Sequence, residues 1–267
     1  MKMKRSEKLG MFTGLVVGVL LLLISVFMIF QTTCKVWGAE KPANATQQGI
    51  DVSSHQGKID WEQVKNSALA DYAIIRCGYG VNQTDKDDKY WDYNSSECER
   101  LGIPYGTYLY SGADTTAKAK SEAEHVVRLL QGKNLTYPIY YDMEADMLNQ
   151  LSSTQIGNIA KTFLNTMESY GYKNVAVYSN KYLFETKLTA SVFSDYPKWI
   201  AQHSNKCTYQ GSYHMWQYST QGVIPGISEK VDLNYKIGNW TYAGYSSAKK
   251  TVVVKPKATT IKSLRKS

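Results

Sequence analysis

The chain has 267 residues, of which 43% are hydrophobic, and this is enough for one large domain with a buried core. Its net charge of +8 comes from the ends, because subtracting +4 for residues 1–48 and +7 for residues 241–267 leaves −3 for residues 49–240. A mildly acidic body excludes nucleic-acid binding by the folded part.

The N-terminus has the pattern of a membrane anchor. Residues 1–8 are basic, and residues 9–30 contain no charge over a length that spans a bilayer as a helix. Because positive charge before such a segment keeps the N-terminus inside, we predict a single-pass protein of the cell membrane with an extracellular main domain. A secreted protein with a cleaved signal peptide is the alternative, although the apolar run is long for one. Residues 31–48 are predicted to be a polar linker.

Strand-like and helix-like segments alternate from Gly49 onward. Strands are predicted at 49–54, 72–80, 104–111, 138–144, 174–179, 198–202, 213–218 and 231–235. Helices are predicted at 61–67, 88–101, 117–130, 181–188 and over a long segment that Ser153 or Thr154 caps and Gly171 ends. Repeated βα units favour a parallel sheet, and eight strands permit a closed barrel whose site lies at the carboxyl ends of the strands. The basic tail, residues 241–267, has too little apolar material to fold alone.

Two acids follow the aromatic strand segment at 137–141. Side chains two residues apart on a strand share a face, so Asp142 and Glu144 are expected on one side with Cα atoms about 6.5 Å apart. Like charges in a poorly solvated place raise one pKa, which is the condition that a general acid needs. Glycoside hydrolysis requires such a pair, with one carboxyl protonated and one ionised. The alternative is that the pair lies at a solvated strand end and caps the next helix.

Five motifs in order resemble the lysozymes of glycoside hydrolase family twenty-five, the Chalaropsis-type N-acetylmuramidases. The motifs are Gly49-Ile50-Asp51-Val52-Ser53-Ser54-His55-Gln56-Gly57, Ile59-Asp60-Trp61, Tyr141-Asp142-Met143-Glu144, Trp216-Gln217-Tyr218 and Val231-Asp232-Leu233-Asn234. The resemblance covers about residues 49–240, which we take as the catalytic domain. It implies an α/β fold, a modified TIM-like β/α barrel with eight strands and about five helices. It also implies cleavage of the β-1,4 bond between N-acetylmuramic acid and N-acetylglucosamine in peptidoglycan.

Carried over by position, the resemblance implies that Glu144 is the proton donor and Asp142 its partner. It places Asp51 and Asp232 in the cleft as two further acids, which we expect to support the pair. We expect a raised pKa for Glu144 and an ionised Asp142 that orients the substrate's own 2-acetamido group. Direct attack by a carboxylate, or activation of water by one, is the alternative.

Aromatic residues near the strand ends are candidates for stacking on sugar rings, and core packing is the alternative for each. The candidates are Tyr79, Tyr108, Tyr178, Trp199 and Trp216. Arg76 lies in an apolar strand, so we expect it to pair with a carboxylate.

The expected partners are peptidoglycan glycan strands and, through the N-terminal helix, the membrane. The four histidines lack the spacing of metal ligands, and we predict no metal and no cofactor. Two other functions compete: hydrolysis of another N-acetylhexosamine polymer such as chitin, and glycan binding by a module that has lost activity.

Overall fold

The computed structural model describes residues 39–240 and Gly18. Apart from Gly18, the predicted membrane helix at 9–30 lies outside the described residues, as does the basic tail at 241–267. Within the described part of the chain, no helix combines the length and the apolar character that crossing a membrane requires.

The described chain contains eight strands and six α-helices, which alternate as far as the fifth strand. The strands are β1 (Ala45–Val52), β2 (Tyr72–Tyr79), β3 (Tyr105–Tyr110), β4 (Ile139–Asp142), β5 (Val175–Asn180), β6 (Lys198–Ala201), β7 (Met215–Gly222) and β8 (Val231–Ile237). The helices are α1 (Trp61–Ser67), α2 (Trp91–Leu101), α3 (Thr116–Leu129), α4 (Ser153–Ser169), α5 (Lys181–Thr186) and α6 (Val192–Asp195). The sequence predicted all of these except α6, whose four residues are too few for a helical period to be recognised.

The eight strands form a closed barrel in chain order, which confirms the predicted α/β barrel. The consecutive pairs from β1–β2 to β6–β7 are parallel, whereas β8 is antiparallel to both β7 and β1. The reversal of β8 departs from the uniform βα pattern and follows from its direct connection to β7 without a helix. As a result, β8 begins at the rim where the other seven strands end.

Aromatic side chains fill the interior of the barrel. Tyr72, Tyr140, Tyr178 and Trp199 belong to one buried cluster, and the Trp199 ring lies 4.9 Å from that of Tyr140 and 4.4 Å from that of Tyr178, between centroids. Gly49 leaves room for the Tyr72 ring, because a Cβ atom at position 49 would lie only 2.4 Å from that ring. Much of the high aromatic content therefore stabilises the barrel instead of contacting ligands.

Helix α4 covers the outer face of β4. Its N-cap is Ser152, one residue before the predicted cap, where the hydroxyl accepts from the Gln155 backbone N–H and Gln155 caps in return. The buried side of α4 carries Phe163, whose ring stacks on Tyr141 at 3.8 Å between centroids. Because Tyr141 faces outward into this contact, its neighbour Asp142 faces the barrel interior.

Candidate active site

The four acids singled out in the sequence meet at one rim of the barrel. Asp51 lies near the end of β1, Asp142 is the last residue of β4, and Glu144 follows two residues later. Asp232 is the second residue of the reversed strand β8, so it reaches the same rim. Electrostatic interactions join Asp142 to Glu144 and Asp51, and Glu144 to Asp51 and Asp232. The four carboxyl groups therefore lie together at this rim.

Asp51 and Asp232 form a cross-strand pair. They are opposite residues of antiparallel β1 and β8, and their carboxyl groups are hydrogen-bonded to each other. Burial and the neighbouring charge of Asp232 raise the pKa of Asp51 well above its usual range, and burial raises the pKa of Asp232 to about 6. A hydrogen bond between two carboxyl groups needs one proton, so the two acids share it.

Two amide side chains hold this acidic pair. Asn234 Nδ2 donates to Asp51 Oδ2 at 2.8 Å, and Gln217 Nε2 donates to the same oxygen at 2.9 Å. Gln217 Nε2 also lies 3.3 Å from Asp232 Oδ2. Asn234 is itself oriented by Trp199, whose indole Nε1 donates to Asn234 Oδ1 at 2.8 Å. The aromatic core therefore fixes the direction of a donor at the acidic pair.

Asp142 and Glu144 both have raised pKa values. Burial is the main cause for each, and Asp142, which is 2% exposed, also feels Glu144 and then Asp51. We expected an ionised Asp142 beside a Glu144 with a raised pKa. The pKa of Glu144 is raised, and burial also raises the pKa of Asp142 well above its usual range, so the two pKa values move in the same direction. The strand also ends at Asp142, so Glu144 leaves the predicted strand and is half-buried.

Arg76 places a positive charge near Asp142. Its guanidinium lowers the pKa of Asp142, although burial dominates. Arg76 Nη2 donates to Asp88 Oδ2 at 2.8 Å and to Ser54 Oγ at 2.9 Å. The Asp88 carboxylate also accepts from the Ser54 backbone N–H at 2.9 Å. The predicted pairing of Arg76 with a carboxylate is thus present, and its partner follows β2 in the chain.

The three candidate tyrosines occupy different depths of the site. Tyr108 and Tyr178 interact electrostatically with Asp51, Asp142 and Asp232, which places both at the floor of the cleft. Tyr79 is 38% exposed, and Lys86 Nζ lies 4.7 Å from its ring centroid. Only Tyr79 among them offers an open ring.

The two candidate tryptophans do not face the cleft. Trp199 is 1% exposed inside the aromatic core, and Trp216 is 0% exposed with its Nε1 donating to the backbone oxygen of Gln202 at 2.8 Å. Their assignment as sugar-stacking residues is therefore corrected: both pack in the protein. Trp216 lies opposite Ile200 of β6 and Tyr235 of β8 in the strand register. The next residue, Gln217, faces the other side of the sheet, where the acids lie.

Several residues at the site were missed as functional candidates. Gln217 and Asn234 lie within the quoted motifs: Gln217 directly follows Trp216, and Asn234 is two residues after Asp232. Alternation of side chains along a strand was the signal that could have identified them. Tyr110, on the strand next to Asp142, interacts with Asp142 and Glu144. His203 follows β6 and interacts with Glu144. No pattern in the sequence singled out His203.

Comparisons with known proteins agree with this architecture. The sequence profile described as Glycosyl hydrolases family 25 matches residues 50–227. The autolytic lysozyme of Clostridium acetobutylicum is 30% identical over 188 residues, covering 70% of this chain and 55% of that protein. The crystal structure of the modular autolysin LytC from Streptococcus pneumoniae superposes with a TM-score of 0.65 at 33% identity.

The superposition covers 71% of this chain and 46% of LytC, so the chain matches about half the length of that autolysin. A family 25 glycosyl hydrolase from Bacillus anthracis, at 20% identity, shares the fold with a TM-score of 0.66 over 77% of this chain and 95% of its own. On the profile match and these similarities, the chain belongs to glycosyl hydrolase family 25.

Proposed function

We propose that the protein is a muramidase that hydrolyses the β-1,4 bond between N-acetylmuramic acid and N-acetylglucosamine in peptidoglycan. The observation that carries the proposal is the convergence of Asp51, Asp142, Glu144 and Asp232 at one rim, each with a raised pKa. Family relatives support the choice of substrate: LytC has been solved with a synthetic peptidoglycan ligand, and the clostridial relative is named an autolytic lysozyme.

Glu144 is the general acid and base of this proposal. A proton donor must hold its proton until the leaving oxygen gains charge, and burial together with the charge of Asp51 raises the pKa of Glu144 as that role requires. Glu144 is half-buried, whereas Asp142 and Asp51 are buried, so its carboxyl group is the more accessible to a glycosidic oxygen.

Asp142 assists by orienting the substrate's 2-acetamido group. Asp142 Oδ1 is buried and accepts no hydrogen bond from the described residues, so it is available to accept one from the acetamido N–H. The acetamido oxygen then attacks the anomeric carbon as Glu144 gives its proton to the leaving oxygen, and positive charge develops next to Asp142. The positive charge on the sugar favours the ionised form of Asp142 during this step.

Replacement of Glu144 tests the proposal. Glu144→Gln keeps the shape of the side chain and removes the proton, so we expect turnover of purified peptidoglycan to fall by at least about 100-fold. Glu62→Gln is the matched control, because Glu62 is exposed on α1, where it contacts Arg100. Unchanged hydrolysis by Glu144→Gln removes Glu144 from this role. Faster release of oligosaccharides from chitin than from peptidoglycan indicates the other polymer, and a folded wild-type protein without turnover indicates a binding module.

We also infer that the enzyme is displayed outside the cell on a membrane anchor. The support is the charge-free run at residues 9–30 behind a basic N-terminus. Cell fractionation tests this: an anchored protein stays with membranes in its full length, whereas a shortened protein in the medium indicates cleavage and secretion.

A further inference from the structure

Gln217 lies at the centre of a hydrogen-bond network in the cleft and is 3% exposed. Its Nε2 donates to the acidic pair, at 2.9 Å to Asp51 Oδ2 and 3.3 Å to Asp232 Oδ2. Its Oε1 accepts from the Tyr178 hydroxyl at 2.9 Å and is 3.0 Å from His203 Nε2. One side chain therefore connects strands β1, β5 and β8 with the segment after β6.

The partners determine which way the amide points. If the amide were reversed, its oxygen would face two carboxyl oxygens, and its NH2 group would face the His203 nitrogen and the Tyr178 oxygen. In the observed orientation, both hydrogens of Nε2 face acceptors, and Oε1 receives the phenol and the imidazole N–H. This arrangement requires that His203 carries a hydrogen on Nε2.

We propose that Gln217 is a positioning residue for hydrolysis, held by Tyr178 and His203 so that its amide keeps one negative charge on the Asp51–Asp232 pair. The inference rests on the muramidase function proposed above and concerns the same site. An N–H donor to a carboxyl group favours the ionised form, so the hydrogen bond from Gln217 opposes the effect of burial on Asp51. The charge that it maintains helps Glu144 to retain its proton and lies beside the cationic sugar of the transition state.

The titratable groups that face Gln217 come from four elements. Asp51 belongs to β1, Asp232 to β8 and Tyr178 to β5, while His203 follows β6. Glu144 interacts with Asp51 and His203 at the next position in the cleft. A pH profile of the enzyme therefore reports these groups together, and a substitution at Gln217 alters the pair without deleting any of them.

The test is Gln217→Met, which retains length and removes the donor. We expect kcat on peptidoglycan to fall at least about tenfold with little change in KM, and the acidic limb of the kcat/KM profile to move up by about one pH unit. Gln221→Met is the matched control, because Gln221 is exposed on the same strand and its side-chain amide donates only to Thr220 among the described residues. This control is expected to leave both quantities unchanged.

A second readout does not depend on turnover. Carbon NMR titration of the aspartate carboxyl groups in the free protein should give a higher pKa for the Asp51–Asp232 pair in Gln217→Met than in the wild type. An unchanged titration and an unchanged pH profile in the folded variant overturn the inference. A wild type that does not hydrolyse peptidoglycan contradicts the proposed function alone, because the titration still tests Gln217.

If Gln217→Met does not fold, Tyr178→Phe replaces it. This variant removes one of the two donors to Gln217 Oε1 and keeps the ring in the aromatic core. We expect a smaller shift of the carboxyl titration and of the acidic limb in the same direction. The absence of any shift in a folded Tyr178→Phe variant overturns the inference.

Discussion

Asp51 of β1 lies directly opposite Asp232 of β8, and the two carboxyl groups share a hydrogen bond although both are acids. Such a pair costs stability once it must ionise, because burial penalises charge. It persists at the rim because the amides of Asn234 and Gln217 donate to it.

We predict that Asp232→Asn is more stable than the wild type above pH 6. The pKa of Asp232 is raised from 3.8 to about 6 in the folded protein. The stability that protonated Asp232 contributes to the fold is therefore fully present below about pH 4 and is lost as the pH rises through 6. The neutral amide avoids this loss, and we expect a gain on the order of 1 kcal/mol at pH 8, or about 2–4 °C in Tm.

Thermal unfolding at pH 4 and pH 8 checks this prediction. Asp92→Asn serves as the control, because the Asp92 side chain is 88% exposed on α2 and should alter Tm little at either pH. A Tm for Asp232→Asn that is below that of the wild type at pH 8, or a difference that is the same at both pH values, contradicts the prediction.

Arg76 supports both the fold and the charge of the cleft. In Arg76→Met the Asp88 side chain, which is 0% exposed, keeps only its backbone donors, and we expect the free energy of unfolding to fall by about 3 kcal/mol. Loss of the cation also raises the pKa of Asp142 further, so activity near neutral pH should fall. Urea unfolding measures the first effect, and a change below about 0.5 kcal/mol would show that this ion pair is dispensable.

Trp216 stabilises the barrel and does not bind the glycan. We expect Trp216→Phe to lower the free energy of unfolding by about 1–2 kcal/mol, since Gln202 loses the indole donor and the core loses volume. The KM for peptidoglycan should stay within about twofold of the wild type. Steady-state kinetics on the folded variant decides this: a strongly raised KM with unchanged Tm would return Trp216 to the binding site.

Strand periodicity predicted the barrel and the pair Asp142 and Glu144, because it is a local property, and the resemblance to the family added Asp51 and Asp232 as the further acids of the cleft. The sequence did not predict the direction of β8, which depends on how the chain closes the barrel. It also favoured Trp216 over Gln217, although adjacent residues of a strand face opposite sides and the choice requires the register of β7 against β6 and β8.

The raised pKa of Asp142 could not be predicted for a different reason. It depends on burial, on the charges of Glu144 and Asp51 and on Arg76, and most of these come from distant parts of the chain. The same holds for His203, whose contact with Gln217 joins the segment after β6 to a residue inside β7. Motifs identified the acids, but the directions of their pKa shifts follow only from the assembled rim.

The identity of the bond that is cut tests the central claim most directly. The full-length protein is incubated with purified peptidoglycan, the products are reduced with borohydride, and the new reducing ends are identified by mass spectrometry, with Glu144→Gln as the control. The account predicts that every new end is reduced N-acetylmuramic acid and that the control releases none. New ends of N-acetylglucosamine, or equal release by Glu144→Gln, would contradict it.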